Sequence, residues 1–138
     1  MNVNIRANII ISQFIFNKYF VKKKSGKIIN LGSIYGVVSG DMKLYRANDR
    51  KTSEIYGASK AAVIHLTKYL ASYMGRYNVT VNCISPGGVI NKKTQKKIFI
   101  KKYSEKTAKN SMASIDDIFN ALHFFIKDRK STRLNSSH

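Results

Sequence analysis

The sequence is short of almost everything that would staple or anchor a chain from outside its own core. Its single cysteine, Cys83, has no second thiol to bridge, and with three histidines there is little from which to assemble a zinc cluster. A reducing, cytoplasmic setting follows as the expectation, and no metal site is expected. No apolar run approaches the ~20 residues of a membrane span, and residues 9–16 are interrupted by Ser12 and Gln13. That stretch is no secretory leader either, because the charges at Lys22, Lys23 and Lys24 follow it instead of preceding it. Acidic residues are scarce, with 7 Asp plus Glu against 25 Lys plus Arg, for a formal charge of +18. Arginine-rich clusters interleaved with aromatics, the usual sign of a nucleic-acid surface, are missing. The densest basic group, Lys92, Lys93, Lys96, Lys97, Lys101 and Lys102, reads as a solvated helical face. There are no internal repeats.

What is present is enough for one domain. The 138 residues are 43% hydrophobic, and a chain of this size buries roughly two-thirds of its unfolded surface, so the chain as a whole is not a disordered segment. Ile5, Ile9, Phe16 and Phe20 recur at near-helical spacing beside a second stripe of Ile10, Phe14 and Val21, so residues 4–22 are expected to form a widely buried helix. Ser25 and Gly26 interrupt it, and residues 27–32 form a short apolar run suited to a strand covered on both faces. Residues 39–52 lack any period and read as a loop. Ser53 can cap a helix striped by Tyr56, Ala62, Val63, Leu66, Tyr69, Leu70 and Tyr73, with Gly75 placed for a left-handed end. Residues 78–84, in which Val79, Val81 and Cys83 alternate, form a second strand that stops at Pro86. Two more helical segments are expected at 92–108 and 115–127, the latter capped by Ser114, opened by Asp116 and Asp117, and striped by Ile118, Leu122 and Phe125. Helices alternating with strands give an α/β architecture built on a parallel sheet. Two strands are fewer than such a sheet needs.

Tyr56 and Lys60 lie four residues apart on one helix, hence one turn apart on one face. An ordinary phenol, with a pKa near ~10, is too weak an acid to exchange protons at neutral pH. An ammonium at ~4 Å in an effective dielectric of ~20 is worth about 4 kcal/mol, roughly three pKa units in favour of the phenolate. Such spacing arises by chance on a lysine-rich helix, so the neighbouring motifs decide its meaning.

Tyr56-Gly-Ala-Ser-Lys60, preceded by Gly26-Lys-Ile-Ile-Asn-Leu-Gly-Ser33 and followed by Val79-Thr-Val-Asn-Cys-Ile-Ser-Pro-Gly-Gly88, resembles the short-chain dehydrogenase/reductase family in motif, order and spacing. The resemblance covers residues 2–128 and implies a partial Rossmann-type doubly wound parallel sheet that lacks the N-terminal βαβ units and the last strand. Residues 1–128 would then be the C-terminal catalytic part of a nucleotide-dependent oxidoreductase domain, using NAD or NADP. Residues 129–138 are expected to be a disordered, non-native tail. By resemblance, Tyr56 is the general acid/base, Ser33 bonds the substrate oxygen, Lys60 holds the nicotinamide ribose and Asn4 holds a relay water. Tyr56 and Lys60 also belong to the implied cofactor site, together with Pro86, Gly87 and Val89, whose backbone would meet the carboxamide. Asn91 stands where the family usually has a threonine.

The glycine-rich turn that cradles a pyrophosphate is not in this sequence, so the isolated chain is expected to bind cofactor weakly. Compared with the family, the spacing from Ser33 to Tyr56 is lengthened around residues 41–51, which carry Tyr45, Arg46 and Arg50. With Ser33-Ile-Tyr-Gly36 and Pro86-Gly-Gly-Val89, this insertion resembles a subgroup of bacterial surface-sugar and flagellar glycan pathways. Arginines can grip a phosphate or carboxylate in two-pronged fashion, which points to an anionic sugar as substrate. His65 and His123 match no family motif and are expected to pack in a core or interface. By resemblance the helices at 4–22 and 53–75 pack against a second subunit, giving a homo-oligomer. Two other readings stand beside the enzyme: a basic nucleic-acid module with salt-steep affinity, and an inert truncated product.

Overall fold

The computed structural model of the chain describes residues 2–45 and 52–127. Helix α1 runs over residues 2–23, with wide, π-type turns at Asn2–Arg6 and Phe16–Phe20 and regular α-helix at Ala7–Ile15 and Val21–Lys23. Lys24 ends it in the left-handed region (φ 45°), and β1, Gly26–Leu31, begins two residues later. Short 3₁₀ turns follow at Ile34–Gly36 and Met42–Leu44. Helix α2, Glu54–Gly75, leads to β2, Val79–Ile84. Helices α3, Lys97–Ser104, and α4, Ile115–Lys127, complete the described chain. Among the described residues no helix is long and apolar enough to cross a membrane.

The two strands pair in parallel, from Gly26 opposite Val79 to Leu31 opposite Ile84. A parallel pair requires a long crossover, and α2 supplies it. Side-chain alternation on the strands then separates the helices. Val79 and Val81 face a core of Phe16, Leu70, Ala71 and Met74, with Ile28 packed beside it, so α1 and α2 cover one face. Lys27, one residue from Ile28 and therefore on the other face, donates to the carbonyls of Phe125 (3.0 Å) and Ile126 (2.6 Å) at the end of α4. The architecture is α/β, a small parallel sheet with helices on both faces.

Capping and burial refine several expectations. Ser53 caps α2 as expected, its hydroxyl accepting from the Ile55 N–H at 3.2 Å. Gly75, by contrast, is the last helical residue; the left-handed position falls at Asn78 (φ 57°), whose amide donates to the Lys24 carbonyl and ties the two helix ends together. The buried face of α2 is Ser59, Val63, Thr67, Leu70, Ala71 and Met74, while Tyr69 is 65% exposed. Helix α1 is far less buried than its two stripes imply. It sinks Ser12 and Phe16, and leaves Ile10, Ile11, Phe14 and Tyr19 exposed. The helix expected at 92–108 is confined to α3, and the 39–52 loop contains the Met42–Leu44 turn. Ser114 caps α4 as expected, Asp117 reciprocates by accepting from the Ser114 N–H, and the Ser114 N–H and hydroxyl hold the Asp117 carboxyl below its ordinary value. His65 and His123 are surface-exposed and lie outside the core. Arg46, Arg50 and the tail at 129–138 lie outside the described residues.

Candidate active site

The candidate site forms where both strands end. Beyond Leu31 the ladder continues as the Gly32 N–H donates to the Ile84 carbonyl at 2.8 Å, and the Ile34 N–H reaches the Pro86 carbonyl at 2.8 Å. These bonds hold the Gly32–Ser33 and Pro86–Gly88 segments side by side. Ser33, 7% exposed, caps the following 3₁₀ turn, its Oγ accepting from the Tyr35 N–H at 3.2 Å. That bond uses a lone pair, and the hydroxyl proton stays available for donation.

Helix α2 brings the tyrosine. Gly36 permits this, because a Cβ there would stand 2.7 Å from backbone atoms of both Lys60 and Ala61. Ser33 and Tyr56 therefore line one cleft with Gly87 and Gly88, of about 440 Å³, within the size range of small-molecule sites. Tyr56 is 38% exposed. Lys60 Nζ donates to the Leu31 carbonyl at 2.7 Å and sits 5.8 Å from the Tyr56 ring centroid. The ammonium is thus tethered to the end of β1 and presented against the ring. Asn4 Nδ2 donates to Ser59 Oγ at 3.0 Å, and that hydroxyl donates to the Tyr56 carbonyl at 2.8 Å. So Asn4, from the first turn of α1, reaches the helical turn that carries the tyrosine.

Val89 forms a parallel bridge with Ala113, and Ala113 N–H donates to the Gly88 carbonyl at 3.0 Å. The Val89 carbonyl accepts from the Gln95 side-chain amide at 3.0 Å, while the Gln95 oxygen accepts from the Asn91 N–H at 2.8 Å. A primary carboxamide thus already fits this turn, and the Lys60 ammonium is held at the end of β1. This donor set suits the nicotinamide riboside part of a dinucleotide. Tyr35 and Tyr45 belong to the Ser33–Gly36 run and the insertion already singled out, whereas four other lining residues carry no motif: Thr52, Gln95, Phe99 and Tyr103. The only sequence signal for Phe99 and Tyr103 is their i, i+4 spacing among lysines.

Burial, reinforced by the neighbouring phenols of Tyr45, Tyr103 and Tyr56, pushes the Tyr35 hydroxyl up to about 12. It is therefore a proton-bearing donor across the neutral range. Between the ordinary phenol value of about 10 and this raised value, the unfolded chain releases the proton and the fold keeps it, so stability falls as pH rises through that window. Tyr35→Phe is expected to remove this part of the fall. Denaturant midpoints measured on either side of about pH 10 check it.

A family model described as enoyl-(acyl carrier protein) reductase matches residues 1–133. Post-translational flagellin modification protein A of Campylobacter coli is 34% identical over 128 residues, covering 93% of this chain and 49% of that protein. Cyclohexanol dehydrogenase of a Rhodococcus species is 42% identical over 66 residues, 48% of this chain and 22% of that protein. A short chain dehydrogenase of Leptospira borgpetersenii, solved with bound NAD+, superposes with a TM-score of 0.81 at 40% identity over 89% of this chain and 46% of its own. The chain spans about half the length of the Campylobacter and Leptospira proteins. The shared cleft of Ser33 and Tyr56, the tethered Lys60, the parallel pair and these matches lead to one assignment: the chain belongs to the short-chain dehydrogenase/reductase family of oxidoreductases.

Proposed function

We propose that this chain is the catalytic part of an NAD(P)-dependent oxidoreductase that interconverts an alcohol and a carbonyl compound. The observation that carries the reading is the convergence of Ser33 and Tyr56 on one cleft, with the Lys60 ammonium against the tyrosine ring. When bound, the nicotinamide supplies or accepts the hydride. The protein handles the substrate oxygen and its proton. The Ser33 hydroxyl donates to that oxygen and orients it. The Tyr56 hydroxyl gives its proton to the oxygen as a carbonyl becomes an alcohol, and takes one back in the reverse direction. Lys60 holds the ribose and places a positive charge where the departing proton leaves an oxyanion. Asn4 is positioned behind the same helical turn to hold a water that returns the proton from solvent.

Pro86, Gly87 and Val89 form the backbone edge for the carboxamide, with the Gln95 amide marking the site. The substrate is a small molecule, and a sugar with an anionic group suits Arg46 and Arg50. The exposed apolar side chains on α1 and α2, among them Phe14 and Tyr69, support packing against a second copy of the protein. The setting is the cytoplasm. Residues 1–128 act as one unit, with 129–138 as an appended tail.

The test mixes protein carrying this segment and the family's N-terminal half with NADH or NADPH and a panel of sugars and cyclic ketones, following the near-ultraviolet absorbance of reduced nicotinamide. Carbonyl-dependent loss of absorbance supports the reading. The absence of turnover across the panel in a folded, cofactor-binding protein would sink it.

A further inference from the structure

The cleft also has a wall of rings. Tyr45, Phe99 and Tyr103 follow one another with ring centroids 5.7 and 5.9 Å apart and planes tilted by 41° and 42°. Both ends of the wall are pinned. The Tyr103 hydroxyl accepts from the Gly88 N–H at 2.6 Å, and the Tyr45 hydroxyl shares a 2.6 Å hydrogen bond with Thr52. Helix α3 and the turn that follows it are also bound to the segment before Tyr45, through Lys102 donating to the Lys43 carbonyl at 3.5 Å and through the Lys106–Asp41 ion pair. The rings are therefore preorganised, and a ligand that stacks on them has little side-chain freedom to freeze.

Such a wall has a definite chemical preference. The face of an aromatic ring carries partial negative charge and attracts polarised C–H groups, while its apolar area favours a flat partner over a flexible one. Phenol hydroxyls beside it can donate to and accept from the partner's own hydroxyls. A saturated ring bearing hydroxyls presents both features and has fewer torsions to lose than an open-chain polyol. We propose that Tyr45, Phe99 and Tyr103 are specificity-determining residues, and that the substrate stacks on them through the C–H face of a hydroxylated six-membered ring, a pyranose. The inference rests on the oxidoreductase reading in taking this cleft as the substrate site, and it narrows that reading to cyclic substrates.

The experiment is an NMR titration of the chain with methyl β-D-glucopyranoside, an uncharged ring that isolates the wall from Arg46 and Arg50, and with its open-chain counterpart D-glucitol. Saturable shifts in the Tyr45, Phe99 and Tyr103 ring signals are expected for the pyranoside, with binding at least about fivefold tighter than for D-glucitol. Phe99→Ala should weaken the pyranoside by a similar factor. Equal affinity for the two ligands, no pyranoside shift, or shifts away from these rings would overturn the proposal on the unaltered chain, whatever Phe99→Ala does to folding. Because the readout is binding, it separates from turnover: a protein that transfers hydride but ignores the pyranoside refutes the wall alone, and one that binds the pyranoside without transferring hydride refutes only the oxidoreductase reading.

Discussion

Tyr56→Phe is expected to lower turnover by about 10²- to 10⁴-fold, the range for removing a positioned general acid/base, while leaving the fold intact. The change deletes one oxygen from a side chain that is 38% exposed, and the ring that meets Lys60 remains. Phenylalanine still fills the wall of the cleft but has no proton to give or take. The measurement pairs steady-state hydride transfer with thermal unfolding, using protein that carries the segment and the family's N-terminal half. A variant that keeps more than about a tenth of its turnover would move the proton-transfer role elsewhere. Tyr35 is the nearest competitor by chemistry, since it lines the same cleft and holds its proton. Its raised value makes it a poor general base, so Tyr35→Phe should disturb turnover far less than Tyr56→Phe.

Gly36→Ala is expected to destabilise the chain by about 2–3 kcal/mol, near the top of the usual range for overpacking. A Cβ at this position would stand 2.7 Å from the Lys60 carbonyl carbon and the Ala61 amide nitrogen, and 2.9 Å from the Ile64 side chain. The side chain could swing aside; the helix backbone could move only by displacing α2 from the Ile34–Gly36 turn. Because that turn carries Ser33 and Tyr35 and α2 carries Tyr56 and Lys60, the loss of stability should come with a loss of turnover. Gly75→Ala is the control of opposite sign. Nothing lies within 4 Å of its Cβ position and it ends a helix, so the better helix former should be neutral or stabilising by up to about 1 kcal/mol. Denaturant unfolding of the two variants beside the parent decides both.

Much of the scaffold was legible because it depends on short-range patterns. The Ser53 cap, the α2 span and the two strands each follow from neighbours within a few residues, and the structure places them where local chemistry indicates. Tyr56 and Lys60 were legible for the same reason, one helical turn being a local distance. The errors share a cause as well. The stripes on α1 report apolar character, which does not specify a covering partner, and the described residues bury Phe16 while leaving Phe14 exposed. The left-handed residue moved from Gly75 to Asn78 because the helix ends where β2 must start, a condition imposed by pairing with β1.

The sequence alone determined the order of helices and strands and the oxidoreductase motifs that carry Ser33, Tyr56 and Lys60, since these depend on local periodicity and on chemistry carried within a few positions. Only the tertiary structure decided that Lys60 is tethered to the end of β1, that Gln95 occupies the edge of Val89, and that Phe99 and Tyr103 turn inward from a lysine-covered helix. The physical reason is that these contacts join segments far apart along the chain, and packing of α2 and α3 about the strand ends, rather than any local pattern, brings their side chains within hydrogen-bonding or stacking distance.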